Sequence, residues 1–198
     1  MDRCHDRQVA TPVKLKDTAL VSTTTQPRLA SYRERRDHFF AHDDGTPLEP
    51  EQLVQFQGLA YFSENPALAM ELPLQVDGDG IGEQIDLATA DGHTKPFVRV
   101  GRISFTYSGE PVILSVFKDL QRGRYFLPFR DGSAGRETYA VGRYLDPRAR
   151  PDGTLVVDFN YAYNPYCAYS QGWSCPIPPF ENVIGTSLEA GEKAFPKS

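Results

Sequence analysis

The chain has 198 residues and a formal net charge of −5, with 24% charged and 40% hydrophobic residues, sixteen glycines and sixteen prolines. That length holds one domain with a sizeable core, and so much Gly and Pro favours short strands and turns over a helical bundle. The acidic balance argues against nucleic-acid binding, which needs a concentrated positive surface, and no stretch approaches the roughly 20 apolar residues of a membrane span.

Residues 1–27 are polar, Thr-rich and aperiodic, which predicts a disordered tail ahead of a single globular domain over residues 28–198. The opening MDRCHDRQ lacks the apolar run of a secretory signal. With three cysteines and no even set to bridge, the chain is expected to be soluble and cytoplasmic.

From Leu29 the pattern turns helical: Leu29, Tyr32, Phe39 and Phe40 recur on one side until Asp43-Asp44-Gly45 stops the run. Its arginines alternate with Glu34 and Asp37, which reads as a solvated face. A second, short helix follows Pro50 and carries Leu53 and Phe56. Both helices are expected to cover one end of a sheet.

After Asn65-Pro66 the period becomes two. Strands are predicted over residues 72–76, 81–87, 97–107 with a bend at Gly101, 112–117, 125–129, 138–145 and 155–160, separated by short Gly- and Asp-rich turns. No crossover helix fits between them, so the fold class is mainly β with minor α: an antiparallel meander closing into a barrel or strongly curled sheet.

The most unusual stretch comes last. Six aromatics fall within residues 159–173, followed by Cys175-Pro176 and Pro178-Pro179. The prolines exclude a helix or central strand there, and the aromatics argue against disorder, so a stiffened, ordered wall or lid is expected. Motifs bracket it: Asp131, Gly135, Thr138-Tyr139, Gly142-Arg143 and Leu145 upstream, then DFNxAYNPxCAY, CPxPPxEN and AGE. On these motifs the chain resembles the family known as domain of unknown function 1684, from bacteria and archaea. The resemblance spans most of the chain beyond the tail and implies no reaction, substrate or cofactor.

Three chemistries compete for this region. If Leu155, Val157 and Phe159 face the core, Asp158 and Asn160 share the opposite face. A simple hairpin centred near Arg150 would set Arg143 within about one residue of Asp158, as an ion pair that either fixes the strand or clamps an anion. The leading reading is thus a small-molecule site under the loop 160–182, formed by Arg143, Asp158, Asn160, Tyr163, Asn164 and Trp173 with Glu181 and Asn182 beside them.

The second reading is a hydrolytic, metal- or thiol-dependent enzyme using Cys167, Cys175 and Glu181, with His38 brought in by the fold. The two cysteines fit buried thiols, a mutual disulfide, or reactive and metal-bound thiolates, although C-x7-C is not a zinc spacing. Glu189 and Glu192 read as solvated or as closing a terminal turn, and Asp131 as a turn former bonding its own backbone. The third reading is a structural or interaction domain. No cofactor, protein partner or oligomeric state is assigned by these residues.

Overall fold

The period-two segments pair largely in chain order. The computed structural model describes residues 26–196. It contains helices α1 (Gln26–His42) and α2 (Pro50–Gln55) and strands β1 (Ala69–Pro73), β2 (Gln84–Ala88), β3 (Thr94–Tyr107), β4 (Glu110–Asp119), β5 (Tyr125–Phe129), β6 (Arg143–Leu145), β7 (Arg148–Ala149) and β8 (Thr154–Asp158). Strands β2 to β6 form an antiparallel meander curled into a half-barrel, and a second sheet has the order β1, β8, β7. The expected mainly antiparallel β architecture is present. The expected tail lies outside the described residues up to residue 25, and α1 already begins at Gln26.

The curl has a local cause. The long β3–β4 ladder shifts register between Arg99 and Gly101, and such a bulge bends the strand that carries it. A Cβ at residue 101 would stand 2.6 Å from the Gln75 carbonyl oxygen. Glycine therefore permits Gln75 and Arg102 to exchange two backbone hydrogen bonds of 2.9 Å each, stitching the chain after β1 to the half-barrel.

The core lies where the two sheets face one another. Ile103, Leu114, Leu127, Phe129, Leu155, Val157 and Phe159 are fully buried and belong to one cluster. The expected inward set Leu155, Val157 and Phe159 is therefore buried, although β8 ends at Asp158 and Phe159 opens a 3-10 turn.

Two features differ from the sequence expectation. Only Arg143–Leu145 of the predicted strand 138–145 is extended, and β6 pairs with β5 instead of β8. Pro147 follows two residues on and has no N–H to extend that ladder, so the chain crosses to the other sheet, where β7 and β1 flank β8.

The helices, moreover, rest on the aromatic loop. Phe40, Leu48, Ala168 and Tyr169 form a separate buried cluster, with Phe39, Leu53, Phe56 and Tyr166 packed against it. That loop joins the half-barrel where Tyr163 pairs with Tyr144 of β6. Among the described residues no helix is long and apolar enough to cross a membrane.

Candidate functional site

Strand β6 sends Arg143 into the interior, where the residue is 1% exposed. Its guanidinium donates to the carbonyl oxygens of Leu188 at 2.9 Å and Glu192 at 3.2 Å, and to that of Ala190. The Asp131 carboxylate lies 3.4 Å away and also accepts from the Leu188 amide at 2.6 Å and the Ser133 hydroxyl at 2.9 Å. Asp131 therefore ties down a segment far along the chain instead of only its own turn.

The expected Arg143–Asp158 pair does not form, because β6 and β8 lie in different sheets. Asp158 instead caps the 3-10 turn Phe159–Tyr161, accepting from the Asn160 amide at 3.0 Å and side chain at 2.8 Å. The two residues do lie side by side, but these bonds hold them so where β8 ends and the turn begins, and both are buried instead of facing away from the core.

Glu192 is the second buried charge, and the expectation of a solvated or turn-closing residue fails: it is 1% exposed. Its carboxylate accepts from the Arg36 guanidinium at 3.3 Å, the Asn164 amide at 2.6 Å and the Tyr169 hydroxyl at 2.8 Å. Arg36 also lies over the rings of Phe40 and Tyr163, at 5.2 and 5.4 Å. That part of α1 is not a solvated face. Burial raises the Glu192 carboxyl above its ordinary value, against the opposing pull of Arg36 and the donors around it.

Gly191 makes the approach possible. Its φ is +76°, and a Cβ there would stand 2.6 Å from the Ala162 carbonyl oxygen. Each residue of the AGE motif thus has a physical role, Ala190 giving a carbonyl to Arg143, Gly191 a close backbone passage, and Glu192 a carboxylate to Arg36.

The remaining expected site residues are dispersed. Asn160 accepts from the Asn65 amide at 2.7 Å and donates to its carbonyl at 2.9 Å. Asn164 donates its side chain to the Lys193 carbonyl at 2.7 Å. Asn182 accepts from the Ser115 amide at 2.7 Å and donates to the carbonyls of Ser115 and Pro128 at 2.9 and 2.7 Å. Exposed Glu181 pairs with Arg99 at 2.7 Å. Neither side chain bonds the backbone of the proline loop itself; both bind that loop to the half-barrel.

Trp173 meets Tyr166 edge-on at 4.8 Å and donates to the Ser170 hydroxyl at 2.9 Å. His38 stands against His42 on α1, 4.7 Å between rings. Cys167 and Cys175 are free thiols that the fold brings together, the Cys167 amide donating to Cys175 Sγ at 3.3 Å. None of His38, Glu181 and Arg143 bonds either of them. Among the described residues no three His, Cys, Asp or Glu side chains form a group able to hold a metal.

Two clefts open beside this scaffold. One of about 300 Å³ lies between Thr46–Glu49 and Ser170–Trp173. The other, about 440 Å³, is walled by Arg124, Tyr125, Asp146, Pro147, Arg148 and Ala149. It sits where the end of the half-barrel meets β7. Neither Arg124 nor Arg148 forms an ion pair among the described residues. Asp146 accepts from the Tyr163 hydroxyl at 3.1 Å, and desolvation around its carboxyl raises its pKa while Arg124 and Arg122 oppose the shift.

The family described as "Protein of unknown function (DUF1684)" matches residues 54–193. The chain belongs to this family. Among solved structures, an uncharacterized protein of Haloarcula marismortui, determined by solution NMR, is 37% identical and has a TM-score of 0.64, the match covering 84% of this chain and 92% of that one. A search of curated proteins finds no match. The DUF1684 segment contains Asp131, Arg143 and Glu192, whereas Arg36 precedes it.

Sequence reasoning missed Arg36 and the burial of Glu192. A signal for Arg36 exists: Leu29, Tyr32, Arg33, Arg36 and Phe40 follow helical spacing along one face. A signal for Glu192 is the glycine immediately before it.

Asn182 offers a direct check of the scaffold role. Asn182→Ala leaves the Ser115 amide and two carbonyls without their partner, and unfolding in urea should show a loss of about 2 kcal/mol. An unchanged midpoint would contradict the assignment of Asn182 as a tie between the proline loop and β4.

Proposed function

We propose that this DUF1684 chain is a small-molecule-binding domain whose ligand carries an anionic group held between Arg124 and Arg148. The observation that carries the proposal is the cleft of about 440 Å³ that both arginines line without being closed into an ion pair among the described residues, the one carboxylate on its wall, Asp146, being bonded to Tyr163. Its volume suits a small metabolite. Planar guanidinium groups match carboxylate or phosphate oxygens with paired donors. Tyr125 and Pro147 supply an apolar wall, and Asp146, braced by Tyr163, supplies an acceptor. A ligand with an anionic end and a hydroxyl or amine beyond it fits that arrangement.

The proposed site lies at the foot of the aromatic loop. Tyr163 reaches it through Asp146, and Trp173 borders the smaller cleft. Arg143, Asn160, Asn164 and Asn182 are engaged in holding the scaffold, and their part in binding is to position the walls. A soluble, cytoplasmic setting accords with the acidic composition and the sparse cysteines.

A thermal-shift screen against phosphomonoesters and di- and tricarboxylates tests the proposal. At least one probe should raise the melting temperature saturably, by an amount equivalent to about 2.7 kcal/mol at 100 times its Kd. Arg124→Ala/Arg148→Ala should abolish that rise, while Arg150→Ala, which removes an exposed pair with Glu71, should keep it. Equal stabilisation of the double variant, or no response to any probe, would overturn the proposal.

A further inference from the structure

We propose that Cys167 and Cys175 form a reversible dithiol–disulfide pair that reacts with hydroperoxides, a modification site separate from the arginine-lined cleft. Both sulfurs belong to the irregular aromatic loop, yet each is anchored. The Tyr139 hydroxyl donates to the Cys167 carbonyl at 3.2 Å and lies 3.8 Å from its sulfur. On the other side, the Cys175 carbonyl accepts from the Ala90 amide at 2.9 Å, and the Ile177 amide donates to Ala88 at 2.7 Å. The chain between them passes through exposed Gln171 and Gly172. Two fixed ends joined by an open apex hold the thiols together, Cys167 half-buried and Cys175 8% exposed beneath it.

The surroundings decide which sulfur acts first. The Cys167 amide points at Cys175 Sγ at 3.3 Å, and the Lys95 ammonium donates to the adjacent Ser174 carbonyl at 2.6 Å. These groups favour a negative charge on Cys175. Hydrogen bonding from the Cys167 thiol, joined by backbone donors and Lys95, lowers the Cys175 thiol to about 7. The same bond, together with burial, pushes the Cys167 thiol up. Cys175 is the attacking thiolate and Cys167 the resolving thiol.

The chemistry closes with one oxidant. Cys175 thiolate attacks the terminal oxygen of a hydroperoxide, the O–O bond breaks, and the alkoxide leaves as the alcohol after taking a proton from solvent. Cys175 is then a sulfenic acid. The sulfur of Cys167, giving up its proton, attacks Cys175 sulfur; the S–O bond breaks and hydroxide leaves with that proton as water. Two electrons pass from the two sulfurs to one hydroperoxide. A thiol reductant reverses the bridge by exchange.

The test uses the full chain with Cys4→Ser, so that two thiols remain. One equivalent of hydrogen peroxide should remove both from titration, lower the intact mass by two hydrogens without dimer formation, and allow dithiothreitol to restore both. In that background, Cys167→Ser should let dimedone label Cys175, and Cys175→Ser should slow peroxide consumption by about tenfold or more. Two thiols still titratable after peroxide, bridging between chains, or oxidation to sulfinate without an internal bridge would each overturn the proposal. Because no cleft residue is altered, these outcomes are independent of ligand binding.

Discussion

Asp131→Ala is expected to lower the unfolding free energy by about 3–5 kcal/mol, the cost of leaving one member of a buried ion pair without its partner. Arg143 would keep its bonds to the carbonyls of Leu188, Ala190 and Glu192 but lose its counter-charge at 1% exposure. The Leu188 amide and the Ser133 hydroxyl would lose an acceptor as well. A domain of this size is stable by only about 5–15 kcal/mol, so the loss is a large share of the total. Urea unfolding measures it as a fall in midpoint with the slope retained. Asp131→Ala/Arg143→Met should recover part of the loss, since removing both charges leaves nothing uncompensated. A single variant with a midpoint near that of the wild type would remove Asp131 from the central scaffold.

Glu192→Ala should cost a similar amount, about 3–5 kcal/mol, because Arg36, Tyr169 and the Asn164 amide all lose one acceptor. Glu192→Gln retains hydrogen-bonding oxygen and should cost less. The comparison with Gln also has a pH dependence whose sign follows from the raised carboxyl. The folded protein holds that proton more tightly than the unfolded chain does. The resulting stabilisation is complete below the ordinary carboxyl value of 4.5 and is lost as pH rises through the raised folded value. The wild type should therefore gain on Glu192→Gln as pH falls from neutrality toward 4.5. Urea midpoints of the two proteins at neutral and mildly acidic pH measure this, and a gap that moves the other way would show Glu192 to be held ionised by its donors.

The half-barrel is legible in the sequence because its determinants are local. Alternation on β3 and β4, the bend at Gly101 and the tight turns all depend on residues a few positions apart. The pairing of β8 is not local. A hairpin between β6 and β8 satisfies the spacing, but Pro147 ends one ladder and β1 supplies the partner from far upstream, as in the pairing of Leu72 with Leu155, flanked by Met70 with Val157.

The charged networks were hidden for the same reason. Arg36 and Glu192 are 156 positions apart, and each alone looks like an ordinary surface residue. The proposed cleft draws Arg124 from the turn between β4 and β5 and Arg148 from the start of β7, places where a charged residue normally faces water. The aromatic loop, by contrast, announces itself by composition, and the structure gives it a reason: it is the layer between the helices and the half-barrel.

Residues that hold the fold and residues that bind are thus different sets, and one paired measurement tests that separation most directly. A probe that stabilises the wild type in the thermal-shift screen would be titrated calorimetrically into Glu192→Gln and Arg124→Ala/Arg148→Ala, with urea midpoints recorded for both. The expected result is wild-type affinity with an altered midpoint in the first, and lost binding with a wild-type midpoint in the second. Lost binding in folded Glu192→Gln together with unchanged binding in the arginine variant would contradict it.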